Sequence, residues 1–193
     1  VGYSTLITAP ANPVVTLAEA KEHLAIEFSD DDDKIAAFVE AATGLFDAAG
    51  EGYLGRALVT QTWQLTLPKF PGSGHFVLPV PTVQQITGIT YYDADNAQQT
   101  LSASTYRLTV TGEFACVDLV AGEAWPSTYD RADAVAVQYE AGYGDDGSDV
   151  PLPIHTAICI MAASYYEGRA TADALPQGVR QLVANYRLSR GYI

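Results

Sequence analysis

The hydrophobic pattern of this chain changes period twice. Ile35, Phe38, Val39, Ala42, Phe46 and Ala49 recur at helical spacing. The stretch from Val59 to Leu67 then alternates, with Val59, Trp63, Leu65 and Leu67 on one face and Thr and Gln on the other. That is the pattern of a half-buried antiparallel strand. After Pro151 and Pro153 the helical period returns through Ile154, Ile158, Met161, Ala162 and Tyr165. A helix-period segment does not settle as a strand, nor the reverse, so helices must flank a β region. Further short strands are expected at His75–Val80, Ile86–Tyr92, Tyr106–Thr111, Phe114–Val120 and Ala134–Ala141, separated by turn-forming clusters. The expected fold is α+β, with a helical bundle formed by the N-terminal and C-terminal helices and an inserted antiparallel β-sandwich or barrel. The boundaries lie at the changes of period. Residues 1–56 and 150–193 form the helical domain, because neither helix pair alone buries its apolar face, and residues 57–149 form the β-domain.

Local punctuation supports the helices. Thr16-Leu17-Ala18-Glu19 reads as a capping box and predicts a helix over Leu17–Glu27. Four aspartates, Asp30, Asp31, Asp32 and Asp33, precede the next apolar pattern. A calcium loop counted from Asp30 needs Gly and Glu where Ile35 and Ala41 stand. The cluster is therefore a helix start, with Ser29 or Asp30 as N-cap and the remaining acids favoured by the helix dipole. Gly50 and Gly52 mark the end of that helix, and Gly168 closes the one after Pro153. A last helix begins near Pro176, with Val179, Leu182, Val183 and Tyr186 inward.

The 193 residues suffice to bury a core without disulfide or metal. Apolar residues make up 48% and charged residues only 17%, which points to surface covered by partners. No apolar run reaches the roughly 18 residues of a membrane span, so no membrane partner is expected. The N-terminal stretch lacks the basic and apolar regions of a signal peptide. With a net charge of −13 and ten Lys and Arg that never cluster densely, the chain lacks the basic patch of a protein that grips nucleic acid through phosphates, while contact without attraction stays open. Charge is also uneven. Residues 1–51 carry ten acids against two lysines, whereas Arg169, Arg180, Arg187 and Arg190 near the C-terminus face Asp173 alone. Such asymmetry suits head-to-tail contact between copies. Cys116 and Cys159 lie far apart in apolar runs and read as core residues in a reducing compartment.

No motif for catalysis survives inspection. Gly142-Tyr-Gly-Asp-Asp-Gly147 matches GxGxxG, but Asp145 and Asp146 would repel a pyrophosphate and no helix opens at the third glycine. There is no P-loop and no nucleophile elbow. His23, His75 and His155 are isolated, without the i+4 partner of a zinc helix. No carboxylate pair stands out among the 23 acids. The expectation is a non-enzyme with no catalytic, cofactor-binding or metal-binding residues. Twelve tyrosines, including Tyr91-Tyr92 and Tyr165-Tyr166, suit interfaces or ordinary packing.

Several ordered segments carry a likeness over nearly the whole chain. They are Val15–Leu24, Gly55–Trp63 leading into Leu67–Pro71, Leu78–Val83 before Ile86–Tyr91, Ala141–Gly144, Val150–Ile154 and Tyr166–Arg169. In these the chain resembles the head–tail connector (adaptor, or head-completion) proteins of long-tailed bacteriophages and related gene transfer agents. Thr82 stands where the pattern expects a proline. The resemblance implies a structural ring of about twelve copies below the portal, joining capsid to tail, made in the bacterial cytoplasm and residing in the virion neck. Implied partners are the portal protein and a stopper or tail-terminator protein, with double-stranded DNA passing through the lumen without specific binding. It implies C-terminal docking on the portal, for which Tyr186, Arg187, Arg190 and Tyr192 are the candidates. Asp30 to Asp33 are the candidates for subunit contact or channel lining, where acidity would let DNA slide past. An alternative expectation is a β-sandwich binding module of a phage tail or particle surface, for glycan or protein, using Tyr91, Tyr92 and Tyr129.

Overall fold

The alternating segment becomes β2 (Gln61–Leu67), paired antiparallel with β8 (Val135–Ala141) in unbroken register from Gln61↔Ala141 to Leu67↔Val135. A computed structural model of the protein describes residues 2–48, 52–112, 114–168 and 175–188. The chain divides into two compact units. One gathers Val1–Ala9 and Gln61–Gly142, the other Pro10–Thr60 and Tyr143–Tyr192.

The first unit holds two antiparallel sheets. The larger runs β1–β2–β8–β4–β5, where β1 is Tyr3–Thr8, β4 is Val83–Tyr92 and β5 is Gln98–Thr100. The smaller runs β3–β7–β6, from His75–Leu78, Phe114–Leu119 and Tyr106–Thr111. Burial alternates as the period demands. Val135, Val137, Tyr139 and Ala141 of β8 are buried, as are Trp63 and Leu65 of β2 and Ile89 of β4. Among the described residues neither sheet closes on itself, so the barrel alternative is corrected to two open sheets. β1 and β5 are additions to the expected strands. Both are edge strands with one pairing partner, and Gln98, Gln99 and Thr100 offer no apolar period to read. Val59 falls outside β2 and makes an isolated bridge to Gly144, both within the second unit.

The second unit contains α1 (Leu17–Leu24), α2 (Asp32–Gly44), α3 (Leu152–Tyr166) and α4 (Gln177–Val183). α1 ends three residues early, because Ala25 turns left-handed (φ 53°) and returns its N–H to the Lys21 and Glu22 carbonyls. α3 is apolar on most sides and buries Ile154, Ala157, Ile158, Cys159, Met161 and Ala162. Around it stand Ile35, Val39, Ala42 and Phe46 from α2 and its exit, with Val179 and Val183 of α4. Fully burying one such aliphatic side chain stabilises by about 1.5–3 kcal/mol. Leu182, expected inward, is 37% exposed, since Val179 and Val183 at i and i+4 already form the buried stripe of this short helix. Tyr186 does pack on this core.

Candidate functional site

The aspartate cluster starts α2, but its N-cap is Asp31 rather than Ser29 or Asp30, and the Asp31 carboxylate caps nothing. It is engaged elsewhere, accepting a hydrogen bond of 2.6 Å from the Tyr166 hydroxyl at the end of α3. Asp32 is paired with Lys21 of α1 at 2.6 Å. The Lys34 ammonium lies 5.1 Å from the centre of the Tyr166 ring. The hydrogen bond to the negative Asp31 pushes the Tyr166 hydroxyl above its ordinary pKa. Two of the four acids thus fasten α2 to α1 and α3, while Asp30 and Asp33 are exposed and carry no such bond. Of the four, only these two present open negative charge.

At the other end of the chain, Tyr186 is half-buried against the helical core and Arg187 lays its guanidinium 4.6 Å from the Tyr53 ring centre. The Leu188 N–H donates to the Leu54 carbonyl at 2.9 Å. Tyr186 and Arg187 are therefore brought together with the 52–55 turn. Arg190 and Tyr192 lie outside the described residues, as do Gly50, Arg169 and Asp173.

The GxGxxG stretch is a packed loop. Asn12 donates to the Asp146 carboxylate at 2.9 Å and to the Asp145 carbonyl at 3.2 Å. A side chain on Gly147 would strike the Val14 carbonyl, and one on Gly144 the Asp149 carboxylate. The third glycine opens only a single 3-10 turn, Gly147–Asp149, not a phosphate-binding helix. The glycines serve close packing. Nearby, buried Asp47 accepts the Leu58 N–H at 2.9 Å, and buried Arg56 donates to the Tyr143 hydroxyl at 3.2 Å.

One thiol–imidazole–carboxylate row exists. Glu19 Oε1 is 3.5 Å from His155 Nε2, and His155 Nδ1 is 3.8 Å from Cys159 Sγ. Burial, with the Glu19 charge adding, pushes the Cys159 thiol up, which disfavours the thiolate a nucleophile needs. Glu19 itself belongs to the capping box, and its hydrogen bonds with Thr16 hold its pKa below the usual carboxylate range. Among the described residues no group of three His, Cys, Asp or Glu could hold a metal, and no helix is long and apolar enough to cross a membrane.

In the β unit the tyrosines differ from expectation. Tyr91 is half-buried edge-on to Phe70 at 5.7 Å, and the Arg131 guanidinium sits 3.7 Å over the Tyr92 ring. Of the three, Tyr129 alone is well exposed. Sequence reading missed a different feature, a concavity of about 400 Å³ on the larger sheet, lined by Gln64, Thr66, Gly88, Thr90 and Gln138 and by Tyr3. The one available signal was Gly88, a glycine inside an alternating strand.

The profile of the head completion proteins matches residues 13–173. The chain belongs to the head completion protein family. Membership of this structural family points to a non-enzymatic role. No curated protein matches the sequence. Three solved assemblies contain chains similar to this head completion protein. One, from the neck of an empty gene transfer agent particle computed with C6 symmetry, is 25% identical with a TM-score of 0.77. One from the virion of a native gene transfer agent particle is 26% identical, also at 0.77. One from the neck of a native particle computed with C12 symmetry is 25% identical at 0.75. Each likeness covers 97% of this chain and 96% of the other. Head completion proteins thus account for the ordered segments from Val15 to Arg169, which fall within the matched range.

Proposed function

We propose that this chain is a head–tail adaptor, a structural ring component of the neck of a phage or gene transfer agent particle. The ring joins the capsid to the tail and lets DNA pass. The observation that carries the reading is the near full-length likeness to neck chains of gene transfer agent particles, in a chain whose family is that of head completion. In this reading about twelve copies meet in cyclic, heterologous contact. The four helices form the ring-building bundle, and the two sheets pack as a sandwich. The portal protein lies on one side and a stopper or tail-terminator protein on the other.

The charges fit this role. A wall bearing Asp30 and Asp33 repels a polyanion and keeps DNA from sticking. Tyr186 and Arg187 are anchored on the helical unit, and Arg190 and Tyr192 are proposed as the residues that dock on the portal. Truncation after Leu188 separates docking from folding, because it spares Tyr186, Arg187 and the Leu188–Leu54 hydrogen bond. The test of the whole reading is electron microscopy of particles from cells lacking the gene. Separate heads and tails, with heads that leak DNA, are the expected result. Complete particles with joined tails would overturn it.

A further inference from the structure

We infer that the concave outer face of the five-stranded sheet is a binding site for a neutral oligosaccharide. The argument starts from Gly88. A glycine inside a strand costs roughly 0.5–1 kcal/mol relative to alanine and leaves nothing to pack. Two ordinary reasons for such a glycine are missing here. Its φ is not among the left-handed ones, and a Cβ built on it would meet nothing within 4 Å. The strand bulges between Ile86 and Gly88, but a bulge without positive φ does not require glycine. The space above Gly88 is open and faces solvent. A glycine where a side chain would fill only external space leaves room for close approach by something outside the chain.

The walls of that space have one chemistry. Register places Gln64, Gln138 and Gly88 on one rung across β2, β8 and β4. The next rung is Tyr3, Thr66, Ala136 and Thr90. The Gln138 amide donates to the Gln64 carbonyl at 3.2 Å, and the Gln64 amide donates to the Thr66 hydroxyl at 3.3 Å. This chain of bonds fixes both amides and leaves the Gln138 carbonyl and the second N–H of each amide for a ligand. The lining includes no cation. Its one acid, Asp133, is held at the rim by Arg131 at 2.7 Å. In a chain of net charge −13 a lining whose single acid is ion-paired is a local exception.

Absence of cations in the lining disfavours phosphate or carboxylate ligands. Amides and hydroxyls disfavour an apolar one, which could not satisfy them. A sugar supplies paired donors and acceptors without charge. Tyr3, 55% exposed, offers an apolar ring with a polar tip to a pyranose face, a part Tyr92 cannot play under Arg131. A volume of about 400 Å³ lies within the range of small-ligand sites.

The test is nuclear magnetic resonance titration of the full chain with maltotriose, cellotriose and chitotriose, tracking the side-chain amides of Gln64 and Gln138. A saturable shift with at least one trisaccharide is expected. Gly88→Val should weaken binding at least tenfold while melting at or above the parent temperature, since its side chain enters open space and favours a strand. No saturable shift with any of the three overturns the proposal, as does a shift that survives G88V. A third result also overturns it: no trisaccharide binding, together with G88V particles that lack a neck or tail protein. That would assign the hollow to a protein contact.

Discussion

Tyr139 stands in the middle of β8 with its side chain fully buried. Burial, partly offset by the nearby Val80 backbone and Ser4 hydroxyl, pushes its phenol up to about 12. A raised pKa means the folded state holds the proton more tightly. The associated stability is complete below the unfolded value near 10 and is lost as pH rises through 12. Two pK units correspond to about 2–3 kcal/mol. Tyr139→Phe should therefore stay within about 1 kcal/mol of the parent at pH 7. It should also lack this share of the alkaline loss in melting curves taken from about pH 9 to 12. Identical alkaline curves for both proteins would refute the assignment. The capping box makes the opposite case. Thr16→Ala should cost about 1 kcal/mol at pH 7. The hydrogen bonds that lower the Glu19 pKa stabilise above the ordinary carboxylate value and are lost as pH falls through the folded one. The gap between parent and T16A should narrow below about pH 4. The box was legible because all its parts lie within four residues. The cap of α2 was not, because Asp31 is claimed by Tyr166, 135 residues away. Thr82 shows a similar limit. The expected proline is impossible there, since the residue sits at φ 65° and proline is locked near −65°.

At the scale of elements, α3 organises the helical unit; the helical period picked out Ile154, Ile158, Met161 and Ala162 but not Ala157, because a helix apolar on most sides has no single stripe to read. Ile158 is wholly buried among α2 and α3 residues, so Ile158→Ala should cost about 2–5 kcal/mol in chemical denaturation. Leu182→Ala on α4 should cost well under about 1 kcal/mol, because that side chain is already 37% exposed. Equal losses at the two positions would mean that the buried stripe of α4 is misassigned. Strands with their own apolar alternation were legible in the same way. β1 and β5 were not, since an edge strand is defined by the neighbour it pairs with more than by its own pattern. The oligosaccharide hollow is beyond sequence reading for that reason. Its rungs join β1, β2, β8 and β4, and only the register brings Tyr3, Thr66, Ala136 and Thr90 into line.

For the whole molecule the governing quantity is charge. A chain with 23 acids against ten Lys and Arg would repel DNA through a potential that salt screens within about 8–10 Å at physiological strength. The aspartates engaged inside the fold cannot be altered without loosening helix contacts, since Asp31 holds Tyr166 and Asp32 holds Lys21. Asp30 and Asp33 can be, which makes them the clean handle on the channel proposal. Asp30→Lys with Asp33→Lys leaves the core untouched and should cost about 1 kcal/mol, because Asp33 lies in the first turn of α2, where the helix dipole favours negative charge. Repeated around a ring, the reversal places lysines where the lumen is proposed to be acidic. Particles carrying the double substitution should still assemble and fill, but should release DNA more slowly, with a delay that shrinks as salt rises. Release at the parental rate at every salt concentration, with the variant present in the neck, would take these aspartates out of the channel. Failure of the variant to enter particles at all, with folding intact, would instead place Asp30 and Asp33 in the contact between subunits, where the acidic start of α2 meets a neighbouring chain.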